Sequence, residues 1–254
     1  MAISIKGFIK NTLLDWEGKI ASVIFTPGCN FRCPYCHSPH LVYAPEELET
    51  IHVEEVMEFL RANREWVDGL AITGGEPTIQ SDLIEFLEML KDEGIPAKLD
   101  TNGSRPDVLE TVMSGKLVDY VAMDVKAPPG KYELAAGLPV DTKAIARSIR
   151  LLNDGRIDCE FRTTICPVLL DGNDIVEIAR WIKGARLYIL QNFRGGNCLY
   201  PKINTVRPLR PEQLREYANK AAGYVRECRV RSENTAAADT CTPAHNCAEH
   251  PAKQ

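Results

Sequence analysis

The sequence lacks long apolar runs and an excess of positive charge. No stretch approaches the roughly 18 consecutive apolar residues that a membrane-spanning helix needs. The first residues, MAISIKGFIKNTLLDW, contain no basic segment followed by a long apolar one, so we expect no secretory signal and a cytoplasmic location. Lys and Arg number 30 against 35 Asp and Glu, a net charge of −5 that gives no electrostatic basis for binding nucleic acid. We therefore expect a protein that binds neither membranes nor nucleic acids.

The nine cysteines do not form the pattern of a disulfide scaffold. Their number is odd, and Cys29, Cys33 and Cys36 lie within eight positions. Crowded thiols in a chain without a secretory signal are typical of metal ligands rather than of disulfides. The three thiolates are therefore predicted to bind metal in a reducing compartment.

Apolar, β-rich runs alternate with amphipathic helical patterns about six times between Lys19 and Tyr224. This alternation predicts βα units around a parallel sheet. Six units are fewer than the eight that close a TIM barrel, so we expect an α/β fold: a partial (βα)6 TIM-like barrel, open on one side, with its active site at the C-terminal ends of the strands. The predicted strands are Ile20–Thr26, Gly69–Thr73, Ala97–Thr101, Tyr120–Val125, Asp158–Ile165 and Leu187–Leu190.

Three segments are expected along the chain. Residues 1–18 are predicted to form an N-terminal strand or hairpin extension, and residues 19–227 the barrel. Residues 228–254 are predicted to form a mobile tail, because from Ser232 onward the sequence is rich in Ala, Thr and Pro without apolar periodicity. The cysteines and histidines of this tail could hold an additional metal or be incidental, since their spacing is irregular. They are Cys228, Cys241, His245, Cys247 and His250.

The loop after the first predicted strand reads TPGCNFRCPYCHSPH, with its cysteines spaced C-x3-C-x2-C. Thiolates are soft ligands that suit iron–sulfur clusters, and three of them from one loop can hold three irons of a cubane. The fourth iron then has no local cysteine and can bind another ligand. A structural zinc site is the alternative, but zinc prefers four closed ligands and no second cysteine pair follows at a suitable spacing. His37, next to Cys36, is expected at the surface or behind the ligands.

Glycines and polar residues end the next predicted strands. The second strand ends in Thr73-Gly74-Gly75-Glu76-Pro77, where two glycines allow either close backbone approach to a ligand or simply a tight turn. Asp100 and Asn102 end the third strand, and they could line a site or cap the following helix.

Charged residues also mark the fourth and fifth predicted strands. The fourth ends in Asp124 and Lys126. On the fifth, Glu160, Arg162 and Thr164 share one face under the two-residue period, and we expect that face to point into the barrel. A charge inside a barrel needs a partner, because its burial is otherwise costly.

In order along the chain, CNFRCPYCHSP, GGEP, LDTNGS, MDVKAP, EFRTT and LQNFR resemble the radical S-adenosylmethionine (SAM) superfamily. The resemblance extends from about Phe8 to Val225. Within the superfamily, the set looks like the glycyl-radical enzyme activating group, and most like the longer subtype of anaerobic ribonucleoside-triphosphate reductase activating proteins.

The resemblance implies two cofactors, a [4Fe–4S] cluster on the three loop cysteines and SAM on its open iron. Reductive cleavage of SAM would give methionine and a 5′-deoxyadenosyl radical. That radical would take an α-hydrogen from a glycine of a partner glycyl-radical enzyme, with anaerobic ribonucleotide reductase the expected partner and a flavodoxin or ferredoxin-type protein the expected electron donor. Two alternatives stay open. One is a radical SAM enzyme for a small molecule or peptide, in cofactor or modified-nucleobase biosynthesis, and the other is a binding protein with a structural metal.

The resemblance also implies roles for single residues. Tyr35 would lie near the adenine of SAM, with a packing residue at the solvent edge as the alternative. Arg162 would pair with the SAM carboxylate, or else form an internal salt bridge with Glu160. The turn would hold the SAM amino group through Gly74, Gly75, Glu76 and Pro77; Asn102 and Lys126 would also contact SAM; and Asp100 and Asp124 would bind a monovalent cation.

Two departures from the family pattern carry no role. The pyruvate formate-lyase activators have a histidine near the position of Gln191-Asn192-Phe193, and this chain has none there. Cys198 is expected to be an incidental thiol.

Overall fold

The computed structural model describes residues 3–231 and 239–241. Its centre is one nine-stranded sheet whose strands lie side by side in chain order. Strands two to eight run parallel, and the first and last strands pair antiparallel with their neighbours. The strands are β1 (Gly7–Thr12), β2 (Ala21–Thr26), β3 (Gly69–Gly74), β4 (Ala97–Thr101), β5 (Tyr120–Asp124), β6 (Asp158–Ile165), β7 (Tyr188–Asn192), β8 (Cys228–Arg231) and β9 (Asp239–Cys241).

Helices connect the parallel strands. They are α1 (Pro39–Tyr43), α2 (Val53–Ala62), α3 (Leu83–Asp92), α4 (Pro106–Ser114), α5 (Tyr132–Ala136), α6 (Thr142–Asn153), α7 (Gly172–Trp181) and α8 (Pro211–Ala221). Each of α2, α3, α4, α6, α7 and α8 returns the chain to the next parallel strand, which gives six βα units. In the described part of the chain β1 and β9 do not pair with each other, so the sheet is open. The predicted partial (βα)6 barrel is confirmed.

The two faces of the sheet differ in polarity. On the helix side, Ile72, Leu99 and Val121 stand in register on neighbouring strands and are fully buried in the apolar core. On the inner side the register aligns charged residues of β4, β5 and β6, among which the small side chains of Ala71 and Ala122 leave room. The alternation of the strands therefore separates an apolar core from a polar barrel interior.

Strand β8 corrects the sequence prediction, which placed Cys228 and the residues after it in a tail. The structure pairs Cys228–Arg231 in parallel with β7, with Cys228 and Val230 buried and Arg229 and Arg231 on the alternate face. Four residues are too few for composition to separate a strand from a tail. The barrel thus continues beyond residue 227, and β9 extends it by an antiparallel strand. His245, Cys247 and His250 lie outside the described residues.

The N-terminal end of the barrel is covered by the turn between β1 and β2. The Trp16 ring lies 6.2 Å from the Tyr120 ring, and Lys98 Nζ donates to the Asp15 carbonyl. Glu17 accepts from Arg229 of β8 at 2.7 and 2.9 Å, which links the two sides of the open barrel. A cavity of about 220 Å³ lies above this turn, lined by Trp16, Glu17, Lys98, Tyr120, Glu160, Arg186, Leu187, Arg229 and Arg231. None of the helices in the described residues is long and apolar enough to cross a membrane.

Candidate active site

The cysteine loop follows β2 at the C-terminal end of the parallel strands. Its three thiols are free, with Cys33 buried and Cys29 and Cys36 half-buried. Burial raises the pKa of Cys29 to about 11 and that of Cys33 to about 12, although the positive charge of Lys126 acts in the opposite direction. Thiols in such a site remain protonated until a metal displaces the proton.

The Gly74-Gly75-Glu76 turn holds the start of this loop by backbone contacts. Gly75 N donates to Thr26 O at 2.8 Å, and Glu76 N donates to Gly28 O at 2.9 Å. Gly74 has a φ of +125°, and a Cβ on Gly75 would lie 1.7 Å from Gly28 O. The glycines therefore allow the turn to approach the cysteine loop itself, a contact that sequence analysis did not foresee. A contact of the turn with SAM stays a prediction.

The Glu76 side chain points into the protein. It is 1% exposed and accepts hydrogen bonds from Thr78, from Thr101 Oγ1 at 2.7 Å and from Asn102 N at 2.6 Å. Burial raises the pKa of Glu76 against the opposing effect of these bonds. The carboxyl group thus ties the turn to the end of β4, and Pro77, also buried, begins a short 3-10 helix behind it.

Asn102 links the end of β4 to the cysteine loop. Its Nδ2 donates to Asn30 Oδ1 at 2.9 Å, and Asn30 Nδ2 donates to Ser104 Oγ at 2.8 Å. Ser104 N closes the ring by donating to Asn102 Oδ1 at 2.9 Å. Because α4 has Arg105 at its N-cap, neither Asn102 nor Asp100 caps that helix.

The far side of the cysteine loop is tied to two other connections. Arg32 N donates to Ala136 O at 2.7 Å, and a Cβ on Gly137 would lie 2.1 Å from Arg32 O. Leu199 N donates to Cys36 O at 2.9 Å, and Tyr200 N donates to Pro34 O at 3.0 Å. The loop is therefore anchored to the connections after β3, β4, β5 and β7.

A chain of alternating charges crosses the inner face of β4, β5 and β6. Lys98 lies 3.0 Å from Asp100, which also accepts from Arg162 at 3.0 Å. Arg162 Nε donates to Asp124 at 2.8 Å, and Lys126 Nζ donates to the same carboxylate at 2.9 Å. Burial alone would raise the pKa values of Asp100 and Asp124. The charge of Arg162, together with Lys98 at Asp100 and Lys126 at Asp124, outweighs it, and both values are lowered.

These contacts bear on three predicted roles. Sequence analysis considered an internal salt bridge between Arg162 and Glu160. In the structure Arg162 pairs mainly with Asp100 and Asp124, because Glu160 lies farther away, at 3.8 Å. The positive charge between Asp100 and Asp124 is that of Arg162 itself. A monovalent cation on the aspartates, and the contacts of Arg162 and Lys126 with SAM, stay predictions.

Tyr35 lies inside the protein and not at the solvent edge, because it is only 5% exposed. Its hydroxyl is buried and has no hydrogen-bond partner among the described residues. Burial raises the pKa of Tyr35, so the hydroxyl stays protonated and can donate a hydrogen bond. An unpaired buried hydroxyl costs about 1–3 kcal/mol, which a bound polar ligand would recover.

The residues present fit a [4Fe–4S] cluster and SAM. Within residues 3–231, no three His, Cys, Asp or Glu side chains lie close enough together to bind one metal ion. A [4Fe–4S] cluster does not need such a group, because each of its three thiolate ligands binds a different iron. Cys29, Cys33 and Cys36 would hold it, and the free Tyr35 hydroxyl offers a donor to a polar ligand beside it. His37 is exposed, as expected.

Sequence analysis missed several residues that shape this site. Asn30 and Arg32 lie between the first two cysteines, and that position was their only signal. Lys98 and Arg231 face the barrel interior, as their strand alternation could have indicated.

Comparison with known proteins places this site in a family. Residues 23–183 match the family model described as the radical SAM superfamily. A Methanocaldococcus jannaschii protein, provisionally named a glycyl-radical enzyme activating enzyme, is 34% identical over 242 residues, 92% of this chain and 98% of the relative. A 7-carboxy-7-deazaguanine synthase of Halobacterium salinarum is 30% identical over 173 residues, 65% of this chain and 64% of the relative.

A solved structure shares the fold. Streptococcus suis SuiB bound to S-adenosylmethionine superimposes with a TM-score of 0.61 at 15% identity, over 83% of this chain and 52% of that one. Fold, cysteine loop and family match together define a class: the chain belongs to the radical SAM superfamily. It is a radical SAM enzyme with a [4Fe–4S] cluster and SAM as cofactors, and its similarity along nearly the whole chain is to glycyl-radical enzyme activating enzymes.

Proposed function

We propose that this protein is an activase that removes a hydrogen atom from a glycine of a partner glycyl-radical enzyme. The observation that carries the proposal is the 34% identity with the Methanocaldococcus jannaschii relative across 98% of that relative. Anaerobic ribonucleotide reductase is the expected partner, from the motif resemblance, and a flavodoxin or ferredoxin-type protein the expected electron donor.

The reaction balances without a further oxidant. The chemistry that the bound cofactors supply is one-electron cleavage of SAM to methionine and a 5′-deoxyadenosyl radical. With one electron from the donor protein spent on SAM cleavage, the glycine C–H bond would break and its hydrogen atom would pass to the 5′ carbon to give 5′-deoxyadenosine. The unpaired electron would stay on the glycine between two amide groups.

The surface around the cysteine loop supports a polypeptide substrate. Five large apolar residues are exposed on the connections after β2, β5, β6 and β7, at the C-terminal ends of the strands. Exposed apolar side chains grouped around a site are typical of protein contact surfaces. This apolar rim consists of Tyr43, Leu134, Leu138, Val168 and Tyr200.

Polar groups of the chain would bind SAM at the open iron of the cluster. Tyr35 donates a hydrogen bond from its hydroxyl to SAM, and Arg162 and Lys126 provide positive charge for the SAM carboxylate. Gly74, Gly75, Glu76 and Pro77 hold its amino group through their backbone, and Asn102 fixes the loop beside it. Asp100 and Asp124 bind a monovalent cation when Arg162 turns toward SAM.

A second candidate is a radical SAM enzyme for a small molecule. It is favoured by the 30% identity with the 7-carboxy-7-deazaguanine synthase over about two thirds of both chains. That relative is named for making a small molecule rather than for acting on a protein.

The test incubates reduced, cluster-loaded protein with SAM and purified anaerobic ribonucleotide reductase. We expect a glycyl doublet in the electron paramagnetic resonance spectrum, one 5′-deoxyadenosine per radical, and no doublet when the partner's radical-site glycine is replaced by alanine. Formation of 5′-deoxyadenosine without a glycyl signal would reject this partner, and the same result with every glycyl-radical enzyme tried would favour the small-molecule candidate.

The apolar rim provides a matched pair of variants. Leu134→Ser, at a position 55% exposed on α5, two residues before the Ala136 carbonyl that binds the cysteine loop, should raise the KM for the partner about tenfold without changing SAM cleavage in its absence. Leu13→Ser, at a position 71% exposed at the opposite end of the barrel, should change neither. Equal effects of the two variants would remove the rim from the proposal.

A further inference from the structure

Arg32 folds back over the cysteine loop instead of extending into solvent. Its Nη1 donates to the carbonyls of Cys29 and Phe31 at 2.6 and 2.9 Å. The guanidinium carbon lies 5.4 Å from the centre of the Tyr43 ring. The Arg32 backbone is held in turn by Ala136, so the guanidinium has a defined place between the first two cysteines.

The charge of Arg32 is not compensated locally. No carboxylate in the described part of the chain forms an ion pair with it. Lys126, the cation whose charge lowers the pKa values of Cys29 and Cys33, is in contrast paired with Asp124 at 2.9 Å. Arg32 is also half-buried, so water screens its charge less than that of an exposed side chain.

The direction in which Arg32 would shift the reduction potential of the cluster follows from the charges of its two oxidation states. A [4Fe–4S] core with three thiolates carries a charge of about −1 when oxidised and about −2 when reduced, and net charge near a cluster is one of the factors that set its potential. A nearby cation stabilises the more negative state more strongly. We infer that Arg32 is a positioning residue for electron transfer: its fixed, unpaired charge raises the reduction potential of the cluster on Cys29, Cys33 and Cys36. This inference goes beyond the proposed activase function, because it requires the cluster but no partner protein.

The first test compares Arg32→Gln, which removes the charge, with Arg32→Lys, which keeps it and loses the planar donor group. Each variant is loaded with cluster, assayed for iron, and titrated with reductant under electron paramagnetic resonance, without partner. At the wild-type midpoint, the ratio of reduced to oxidised cluster should fall about tenfold in Arg32→Gln and by less than about threefold in Arg32→Lys. Equal ratios in Arg32→Gln and wild type, or equal shifts in both variants, would overturn the inference.

A second pair of variants leaves Arg32 in place and so protects the test against failure of the loop to fold. Tyr43 is exposed and lies beside the guanidinium, so Tyr43→Glu should pair the charge while Tyr43→Gln serves as the neutral control. We expect the reduced fraction to fall several-fold in Tyr43→Glu relative to Tyr43→Gln. Identical titrations of the two would show that the charge of Arg32 does not act on the cluster. Because no partner is present, these results stand apart from any failure of the activation assay.

Discussion

The two ends of the barrel are closed in different ways. At the C-terminal end, the cysteine loop is held by backbone hydrogen bonds and by glycines that leave no room for a Cβ, as at Gly75. At the N-terminal end, the turn before β2 is held by side chains, chiefly the contact of Glu17 with Arg229. Several short backbone contacts leave a loop little room for substitution, whereas an exposed ion pair contributes little to stability and can be replaced. The cysteine loop thus depends on main-chain contacts, and the cover of the cavity depends on side-chain contacts.

The largest effect is expected when a cluster ligand at the C-terminal end is removed. Cys33→Ala should lower the iron content from about four per chain to below about one and abolish 5′-deoxyadenosine formation, because a cubane needs each of its three thiolates. Iron analysis and product chromatography on anaerobic protein measure both. Cys159→Ala, a buried cysteine at the start of β6, is the control and should keep its iron. Zinc in anaerobically prepared protein, or intact SAM turnover in Cys33→Ala, would refute the site.

Gly75→Ala tests the backbone contact at the C-terminal end. The new Cβ would lie 1.7 Å from Gly28 O, so the turn must withdraw from the cysteine loop, and we expect at least a tenfold loss of cluster loading. Gly130→Ala is the matched control, since a Cβ there meets nothing within 4 Å. Iron content and visible absorption of reconstituted protein give the result, and full loading of Gly75→Ala would mean that the contact is dispensable.

Arg162→Met probes the charge chain that runs between the two ends. Removing the guanidinium leaves two half-buried carboxylates with weaker compensation, and we expect a loss of about 3 kcal/mol in unfolding free energy at pH 7. Denaturant titration of the cofactor-free protein measures it. A loss below about 1 kcal/mol would show that Lys98 and Lys126 suffice.

The pH dependence of the unfolding free energy tests the same interaction between Arg162 and the two aspartates. Because the pKa values of Asp100 and Asp124 are lowered by folding, their contribution is present above the aspartate value of about 3.9 in the unfolded chain and is lost as the pH falls through the folded values. Arg162→Met should therefore lose less stability on acidification than wild type. Parallel curves for the two proteins would contradict this assignment.

The smallest effect is expected at the N-terminal end. Glu17→Gln removes one partner of an ion pair in which Glu17 is 53% exposed, so unfolding free energy should change by no more than about 1 kcal/mol and cluster loading not at all. Thermal unfolding and iron analysis together check it. A loss of cluster here would mean that the two ends are coupled.

Much of the fold follows from sequence because it depends on local patterns. The six parallel strands from β2 to β7 stand out as short apolar, β-rich runs, and the helices between them carry a clear period of 3.6 residues. Strand β8 escaped prediction because four residues carry too little of a pattern, and its place is set by pairing with β7. The register that aligns Asp124 with Arg162 is likewise a product of neighbouring strands and not of either strand alone.

Some residues of the site could likewise be predicted from local sequence, and others could not. Spacing alone identifies Cys29, Cys33 and Cys36, since the three ligands belong to one loop. The inward turn of Glu76 could not be predicted, because its partners Thr101 and Asn102 lie on another strand. The unpaired hydroxyl of Tyr35 also depends on packing from several elements.

The contact between Glu17 and Arg229 joins residues that are 212 positions apart. In a nascent chain, more than 200 residues must therefore leave the ribosome before the last parallel strand can meet the first turn, even though β2 and β3 can pair much earlier. Until then, the ladder of strands grows one at a time with an exposed leading edge. During synthesis this edge is therefore open to pairing with other unfinished chains until α8 and β8 have emerged.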